Sequence, residues 1–575
     1  MAFPTFALFP SNGSLSRPSI SPIFNPHLKS LSSSFNLKRR EQVQMRRGVG
    51  VNVNVLLSIR EISERVLDAL VDALFQFNDQ PYLPSQNNFA PVEEMCNPVR
   101  ILDVIGEIPV DFPVGVYIRN GPNPIFGGLK STTSIFGHTS NTWIEGEGML
   151  HALYFTKDEQ QEWIVSYNNK YVETETFNLE KKRNKPCFLP AIEGDSPAVL
   201  AALLFNKLRF GTVDKYISNT NIFYHSGKYY SIAENHLPQE IDIHTLETLD
   251  NWNIGGAWNR PFNSHPKKAP GTGELVVMGV DFVKPFFVLG VVSDDGKTLV
   301  HKVDLQFQRC TLCHEIGVTE KYNVIMDMPL TINIERLLKG GPLIKYDKED
   351  YTRIGVMPRY GDADSIKWFV VQPHCTFHIF NCFEDGDEIV IRGCRALGSI
   401  VPGPDFGLNK LEWFSRGFKP IVSDKTILDN NKDDGFLFGR AYEWRLNMRN
   451  GETKERNLTG TAFFMDFPLG NEKFIGYKNK YGYAQVGDLS VTSCCGKVKF
   501  GMLAKLYFED LETRKLLGGS YSLSEDLIKV EYHNLEDNSF CSGAAFVPKN
   551  GGSDEDDGWI ISFVHNERTN ISQLK

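Results

Sequence analysis

Val371 to Arg392, VQPHCTFHIFNCFEDGDEIVIR, reads as a strand, a charged turn and a second strand. Cys375 to Phe383 is rich in β-prone residues, Glu384-Asp385-Gly386-Asp387 is a turn, and Glu388 to Arg392 is β-branched again. Alternation puts Thr376, His378 and Phe380 on one face of the first strand and Cys375, Phe377, Ile379 and Asn381 on the other. His378 thus falls within an apolar strand, where an imidazole left without a partner costs about 1–3 kcal/mol. It needs a hydrogen bond or a metal. Glu384, just past the strand end, is expected to hold an imidazole by its second nitrogen. Taken alone, the stretch reads more readily as a strand with a buried structural histidine, until other histidines join it.

Outward from this hairpin, nearly everything after about Arg100 has the same texture. Short strands are expected at Gly115–Arg119, Asn221–Tyr224, Lys228–Ile232, Glu274–Gly279, Phe286–Ser293, Lys367–Val371 and Trp559–Val564. Turns such as His225-Ser226-Gly227, Asp294-Asp295-Gly296 and Asn450-Gly451 separate them. Strands at this density over some 450 residues exceed one sandwich, so the reading is all-β, and a closed propeller of four-stranded blades suits the number. No repeat of fixed period is visible in the sequence, so the blades are inferred from strand spacing.

The 575 residues carry a formal charge of -9, with 41% hydrophobic and 12% aromatic residues. That is a globular composition, and with no long basic tract it gives no reason to expect nucleic acid as a partner. The ten cysteines show no paired framework, and Cys310-Thr311-Leu312-Cys313 is a lone CxxC, read as buried neutral thiols. The most apolar run, Leu275 to Val292, is broken by Asp281, Lys284 and Pro285 and does not suit a membrane span.

Residues 1–50 differ from the rest. They hold nine serines, seven lysines and arginines and one acid, Glu41, the composition of a plastid transit peptide. Residues 51–90 are expected to form an amphipathic helix and a linker. The helix should run from Ile59 to Phe77, with Ser58 and Glu61 as a capping box and Asn78 and Pro81 as the stop. Ile59, Ile62, Val66, Leu70, Ala73 and Phe77 share one face, which either packs on its own domain or lies in a membrane interface. A second apolar helix, Pro197 to Leu208, falls in a helical insertion near residues 190–212 of the domain spanning residues 91–575. Two such patches favour peripheral membrane contact and a lipid-soluble substrate.

Three histidines have similar surroundings: His265 in Asn263-Ser264-His265-Pro266-Lys267, His314 in Cys313-His314-Glu315-Ile316-Gly317, and His378. They are 49 and 64 residues apart, about one blade each, so in a propeller they would converge on the axis. A site of imidazoles alone suits iron, zinc, copper or nickel. Glu234, Glu384 and Asp466 are acids inside apolar strands and could orient the rings. The other reading of each is a strand-end acid facing solvent.

With these residues in place, the chain resembles the carotenoid cleavage dioxygenases, and within them the plant zaxinone synthase branch. The motifs are Tyr117-Ile118-Arg119-Asn120-Gly121-Pro122-Asn123-Pro124, Trp143 with Gly146-Glu147-Gly148-Met149-Leu150-His151, Glu234 to Pro238 and His265-Pro266-Lys267. Further matches are Phe377-His378 with Asn381, Tyr442-Glu443-Trp444-Arg445-Leu446, and Met465-Asp466-Phe467-Pro468 with Tyr481-Gly482-Tyr483. The resemblance spans roughly residues 90 to 570. It implies a seven-bladed propeller under a helical dome, and one Fe(II) on four histidines, of which three map onto His265, His314 and His378. Glu234, Glu384 and Asp466 would be the acids behind them. With O2 as co-substrate, a conjugated double bond of a carotenoid or apocarotenoid would be split into two carbonyl products, in a plastid and beside its membrane. The same iron without O2 would serve an isomerase.

Three departures from the family pattern stand out. Asp466 replaces a common Glu, Glu147 replaces a usual Asp, and the Tyr-Gly-Phe-His run carrying the fourth ligand is not found before Lys575. His565 precedes that run and is not read as a ligand. The expectation is therefore an incomplete last blade and a weakly active, poorly soluble form, with a non-catalytic apocarotenoid-binding protein as the alternative.

Overall fold

Ile379–Asp385 and Glu388–Arg395 pair antiparallel and continue into Arg440–Asn447 and Thr453–Asn457 as a four-stranded sheet. Gly386 makes the intervening turn at φ +63°, a conformation that favours glycine. The regular strand starts at Ile379, later than expected. A register shift between Ile379 and Asn381 breaks the alternation, and Cys375 makes only an isolated bridge to Ala396. The computed structural model describes residues 7–10, 53–81, 91–142, 144–403, 409–420, 435–509 and 527–575. Trp143 and most of residues 1–50 lie outside them, as does the transit-peptide reading apart from Ala7–Pro10, which pairs with Gly115–Pro122.

The protein is mostly β, with few helices. Sheets follow one another along the chain. The first is built around Gly115–Pro122, Gly148–Lys157 and Trp163–Tyr171. Four-stranded sheets then begin at Asn221–His225, Lys267–Lys268, Gly317–Val318 and Ile379–Asp385, and a seven-stranded sheet begins at Met465–Leu469. Each packs on the next through apolar side chains. Ile118 and Leu150 meet Ile222 and Ile241, and Tyr230 and Ile232 meet Val277 and Val288. One cluster joins Val276, Val324, Ile354 and Trp444 across three sheets, and Ala441 meets Ala484 and Leu506. The circuit returns to its start, because Tyr117, Leu153 and Phe155 pack on Ala545, Val547 and Phe563 of the last sheet. Tyr117 stacks on Phe563 with ring centroids 5.2 Å apart.

The helices sit outside this circuit. Val53–Leu74 ends three residues before the expected Phe77, and Phe75–Asp79 instead pairs with Lys130–Ser134. Phe75 and Phe77 alternate as a strand does, and the partner strand lies some 55 residues away, so tertiary pairing overrides the helical period. Val66 and Leu70 of the predicted apolar face are exposed, while Val71 and Phe75 are buried against Ala202. The expected second helix is present as Ser196–Phe210, closed by Gly211 at φ +77°. The two helices touch, tied by Asp68, which accepts from Arg183 at 2.9 Å and from buried Arg209 at 2.8 Å. Among the described residues no helix is long and apolar enough to cross a membrane. All ten cysteines are free, and burial pushes the Cys310 and Cys313 thiols up to about 12, so they are neutral.

Candidate metal centre

Each of the three histidines lies just before the first strand of its sheet: His265 before Lys267–Lys268, His314 before Gly317–Val318, His378 before Ile379–Asp385. The first strands of neighbouring sheets run side by side, with His265 bridging Glu315 in parallel. Pro266 keeps the chain extended after His265. Gly393 lets the opposite strand come close to His378: a Cβ there would stand 3.0 Å from its carbonyl oxygen, which accepts the amide of Cys394 at 3.0 Å.

The three rings converge. One ligand-capable atom from each of His265, His314 and His378 lies within 4.8 Å of the others. Ring centroids are 4.5, 5.1 and 5.6 Å apart, and the Nε2 atoms of His265 and His314 are separated by 2.9 Å. Two nitrogens bound at right angles to one ion, each at about 2.1 Å, stand about 3.0 Å apart. The donor set therefore fits a first-row transition metal.

Carboxylates hold two of the rings from behind. Glu234 accepts from His314 Nδ1, and Asp466 Oδ1 lies 2.9 Å from His378 Nδ1. With Nδ1–H engaged, each Nε2 keeps its lone pair for the centre. Asp466 reaches His378 despite its shorter side chain, since a register shift in Met465–Leu469 lies directly after it. Phe467 there has φ +54°, a left-handed conformation costing a non-glycine residue about 1–2 kcal/mol, and its ring packs 4.7 Å from the His378 ring. On the other side Phe377 lies 5.6 Å from the His314 ring. Burial pushes His265 well below the ordinary imidazole value, and the nearby charges of His314, His378 and Lys267 add to this. Burial would also lower His314, but the Glu234 carboxylate outweighs it and the ring is raised.

Glu384 does not join them. Its carboxylate accepts from Thr319 Oγ1 at 3.0 Å, from the Lys321 amide at 2.9 Å and from Lys321 Nζ at 2.8 Å. Burial opposes its ionisation, the Lys321 contacts prevail, and its carboxyl is held below the usual range. It stands at the far end of Ile379–Asp385, six residues from His378, so a strand's length separates it from the ring. His565 pairs through Nδ1 with Ser572 Oγ at 2.9 Å.

The acid that sequence reading passed over is Glu315. It is 6% exposed, its Oε1 pairs with Lys267 Nζ, and its Oε2 accepts the Ile379 amide at 2.7 Å. Lys267 follows His265 by two residues, Glu315 adjoins His314, and Ile379 adjoins His378. One buried carboxylate therefore ties together the three segments that carry the histidines. Its signal was present in the sequence: a lysine and a glutamate, each beside a candidate ligand, in otherwise apolar company.

Such a cluster defines a class first: proteins in which histidines from neighbouring sheets converge on one point that could hold a metal ion. The family follows from comparison. Residues 89–575 match the model of the family RPE65, retinal pigment epithelial membrane protein. The carotenoid 9,10(9',10')-cleavage dioxygenase of Crocus sativus is 31% identical over 93% of this chain and 91% of its own. The rice (Oryza sativa subsp. japonica) 9-cis-epoxycarotenoid dioxygenase NCED1, chloroplastic, is 25% identical over 87% of this chain and 73% of its own. Among solved structures, the lignostilbene dioxygenase of Pseudomonas brassicacearum superposes with a TM-score of 0.66 at 19% identity, covering 86% of this chain and 93% of that one, a likeness of fold. The chain belongs to the carotenoid cleavage dioxygenase family.

Proposed function

We propose that this protein is a non-haem Fe(II) dioxygenase that cleaves a conjugated double bond of a carotenoid or apocarotenoid into two carbonyl products. The observation that carries this is the convergence of His265, His314 and His378 beside an apolar cavity. Iron bound there would supply O2 activation. The chain's own residues prepare the place. Glu234 and Asp466 fix the tautomer and direction of two rings, Glu315 fixes their spacing, and Phe377 and Phe467 keep water from the ring faces. The test is a preparation loaded with Fe(II), given a β-apocarotenal and 18O2. Labelled oxygen in the carbonyl products supports the reading, and intact substrate with full iron occupancy sinks it.

The same reading takes the architecture as a seven-bladed propeller. In its support, the seven-stranded sheet divides at the single pair Phe500–Cys541, which makes seven units with the five sheets of the circuit before it, the small sheets holding Phe75–Asp79 and Leu330–Ile332 being set apart from that circuit. The composition of residues 1–50, and the relative named chloroplastic, support import into a plastid. Exposed Val66, Leu70, Leu204 and Leu208 on the two touching helices support peripheral contact with its membrane, where such substrates dissolve.

A further inference from the structure

Seven of the ten cysteines are buried, and Cys96 stands alone at the surface. The remaining two are neighbours in sequence. Cys494 is exposed and Cys495 half-buried, both in the last turn of the short helix Leu489–Cys495, with their sulfurs 3.7 Å apart. Cys494 Sγ also donates to the Val491 carbonyl at 3.1 Å. The helix leads straight into the wall of the cavity that extends to Asp466 behind His378, whose empty volume is about 670 Å³ counted to its open side. Lys497 and Val498, just past Cys495, line that cavity together with Phe414 and Phe418. The helix also touches Lys410–Gly417, which carries Phe414. At the junction the Gly496 amide donates to the Thr492 carbonyl at 3.0 Å, and Gly496 has φ +94°.

Adjacent Cα atoms are about 3.8 Å apart, closer than the roughly 4.4–6.8 Å of ordinary disulfides. Consecutive cysteines can therefore be joined only in a tight ring closed through their shared peptide bond. On a helix successive side chains diverge by about 100°, so closing that ring takes Cys494 and Cys495 out of helical geometry. The last turn must open, and residues 496–498 move with it. A strained and exposed disulfide belongs to the class that is readily reduced again. It makes a switch, not a staple.

We propose that Cys494 and Cys495 are a redox modification site: a small disulfide such as oxidised glutathione converts them to a vicinal disulfide, and the opened helical turn weakens binding of a polyene in the cavity. The second half rests on the reading of this chain as a carotenoid- or apocarotenoid-cleaving enzyme. The Cys494 thiolate attacks one sulfur of the oxidant and releases one glutathione. The Cys495 thiolate then attacks the Cys494 sulfur, forming the S–S bond and releasing the second glutathione. Two protein thiols lose two protons and two electrons, and one small disulfide becomes two thiols. Dithiothreitol reverses the exchange.

The test is to equilibrate the full chain in glutathione buffers of graded redox ratio, alkylate the remaining thiols and map the peptides by mass spectrometry. The peptide holding Cys494 and Cys495 should lose both alkylation sites and carry no glutathione, whereas Cys96, which has no neighbouring thiol, should carry it. In Cys495→Ser the adduct should stay on Cys494. Glutathione retained on Cys494 of the wild type, at the level seen on Cys96, overturns the proposal. Binding of all-trans-retinal is followed by equilibrium dialysis in both states. Its dissociation constant should rise at least about threefold on oxidation and return with dithiothreitol. An unchanged affinity with the ring formed overturns the proposal. If the reduced chain neither binds nor cleaves the probe, the reading of the function fails. Amide exchange over residues 492–498 then decides the switch: faster exchange on oxidation upholds it, and unchanged exchange overturns it.

Discussion

Glu315 and Glu384 invite comparison, because both are acids beside a histidine-bearing strand and both pair with a lysine. Glu315 is buried and bonds across three sheet edges, whereas Glu384 pairs at the rim with Lys321, whose side chain is 71% exposed. The same chemistry has different weight in the two places. Inside, the carboxylate must be matched because water cannot reach it, so it positions whatever it bonds. At the rim, solvent screens the pair and competes for it. Burial, not proximity in sequence, separates a residue that shapes the centre from one that decorates it.

Four substitutions would break or sharpen that contrast. His314→Ala removes a ligand outright, and iron bound per chain after desalting should fall to near zero by elemental analysis. Glu315→Ala leaves the Lys267 ammonium and the Ile379 amide without their acceptor. The expected loss is about 2–4 kcal/mol in denaturant unfolding, somewhat below that of a wholly buried pair because Lys267 is partly exposed. Iron should weaken with it although no ligand is touched; an unchanged iron titration would refute the bracing role. Asp466→Asn keeps the shape but loses the charge behind His378, and iron affinity should drop about 10–100-fold in a competitive chelator titration.

Glu384→Gln is the smallest change. It should leave iron unaffected and cost at most about 1 kcal/mol. Because the folded-state carboxyl of Glu384 lies below its ordinary value, the stability it adds is present above about pH 4.5 and fades as pH falls through the folded value. Wild type and Glu384→Gln should thus converge in acid, as unfolding midpoints measured from pH 7 down to pH 3 would show.

Much of this was legible in the sequence because it is local. The strands Lys228–Ile232 and Lys367–Val371 appear as read, since their alternation and flanking turns are contained within a few residues. The three histidines were legible because each has a recognisable neighbourhood. Asp466 was legible with them, although its shorter reach depends on a register shift that no periodicity announces. Glu384 misled because adjacency in sequence stood in for adjacency in space. Glu315 escaped because its partners, Lys267 and Ile379, lie on two other sheets. Phe75–Asp79 was absorbed into a helix for the same reason, its strand partner being remote. Even Asn120, in the motif that carries the family resemblance, turns out to be structural: buried, it donates to the Ser218 carbonyl and to Ser231 Oγ, both at 3.0 Å, stitching the first sheet to the second.

The packing of Tyr117 on the final sheet has a consequence for synthesis. The Tyr117 hydroxyl lies 3.5 Å from the carbonyl of Gly543, 426 residues downstream. At about 5–20 residues per second, a ribosome takes on the order of half a minute to add that much chain. For that interval the earliest strands present a greasy flank with nothing to cover it, the condition that invites chaperones and mispairing. The residues born first are thus among the last to be sheltered.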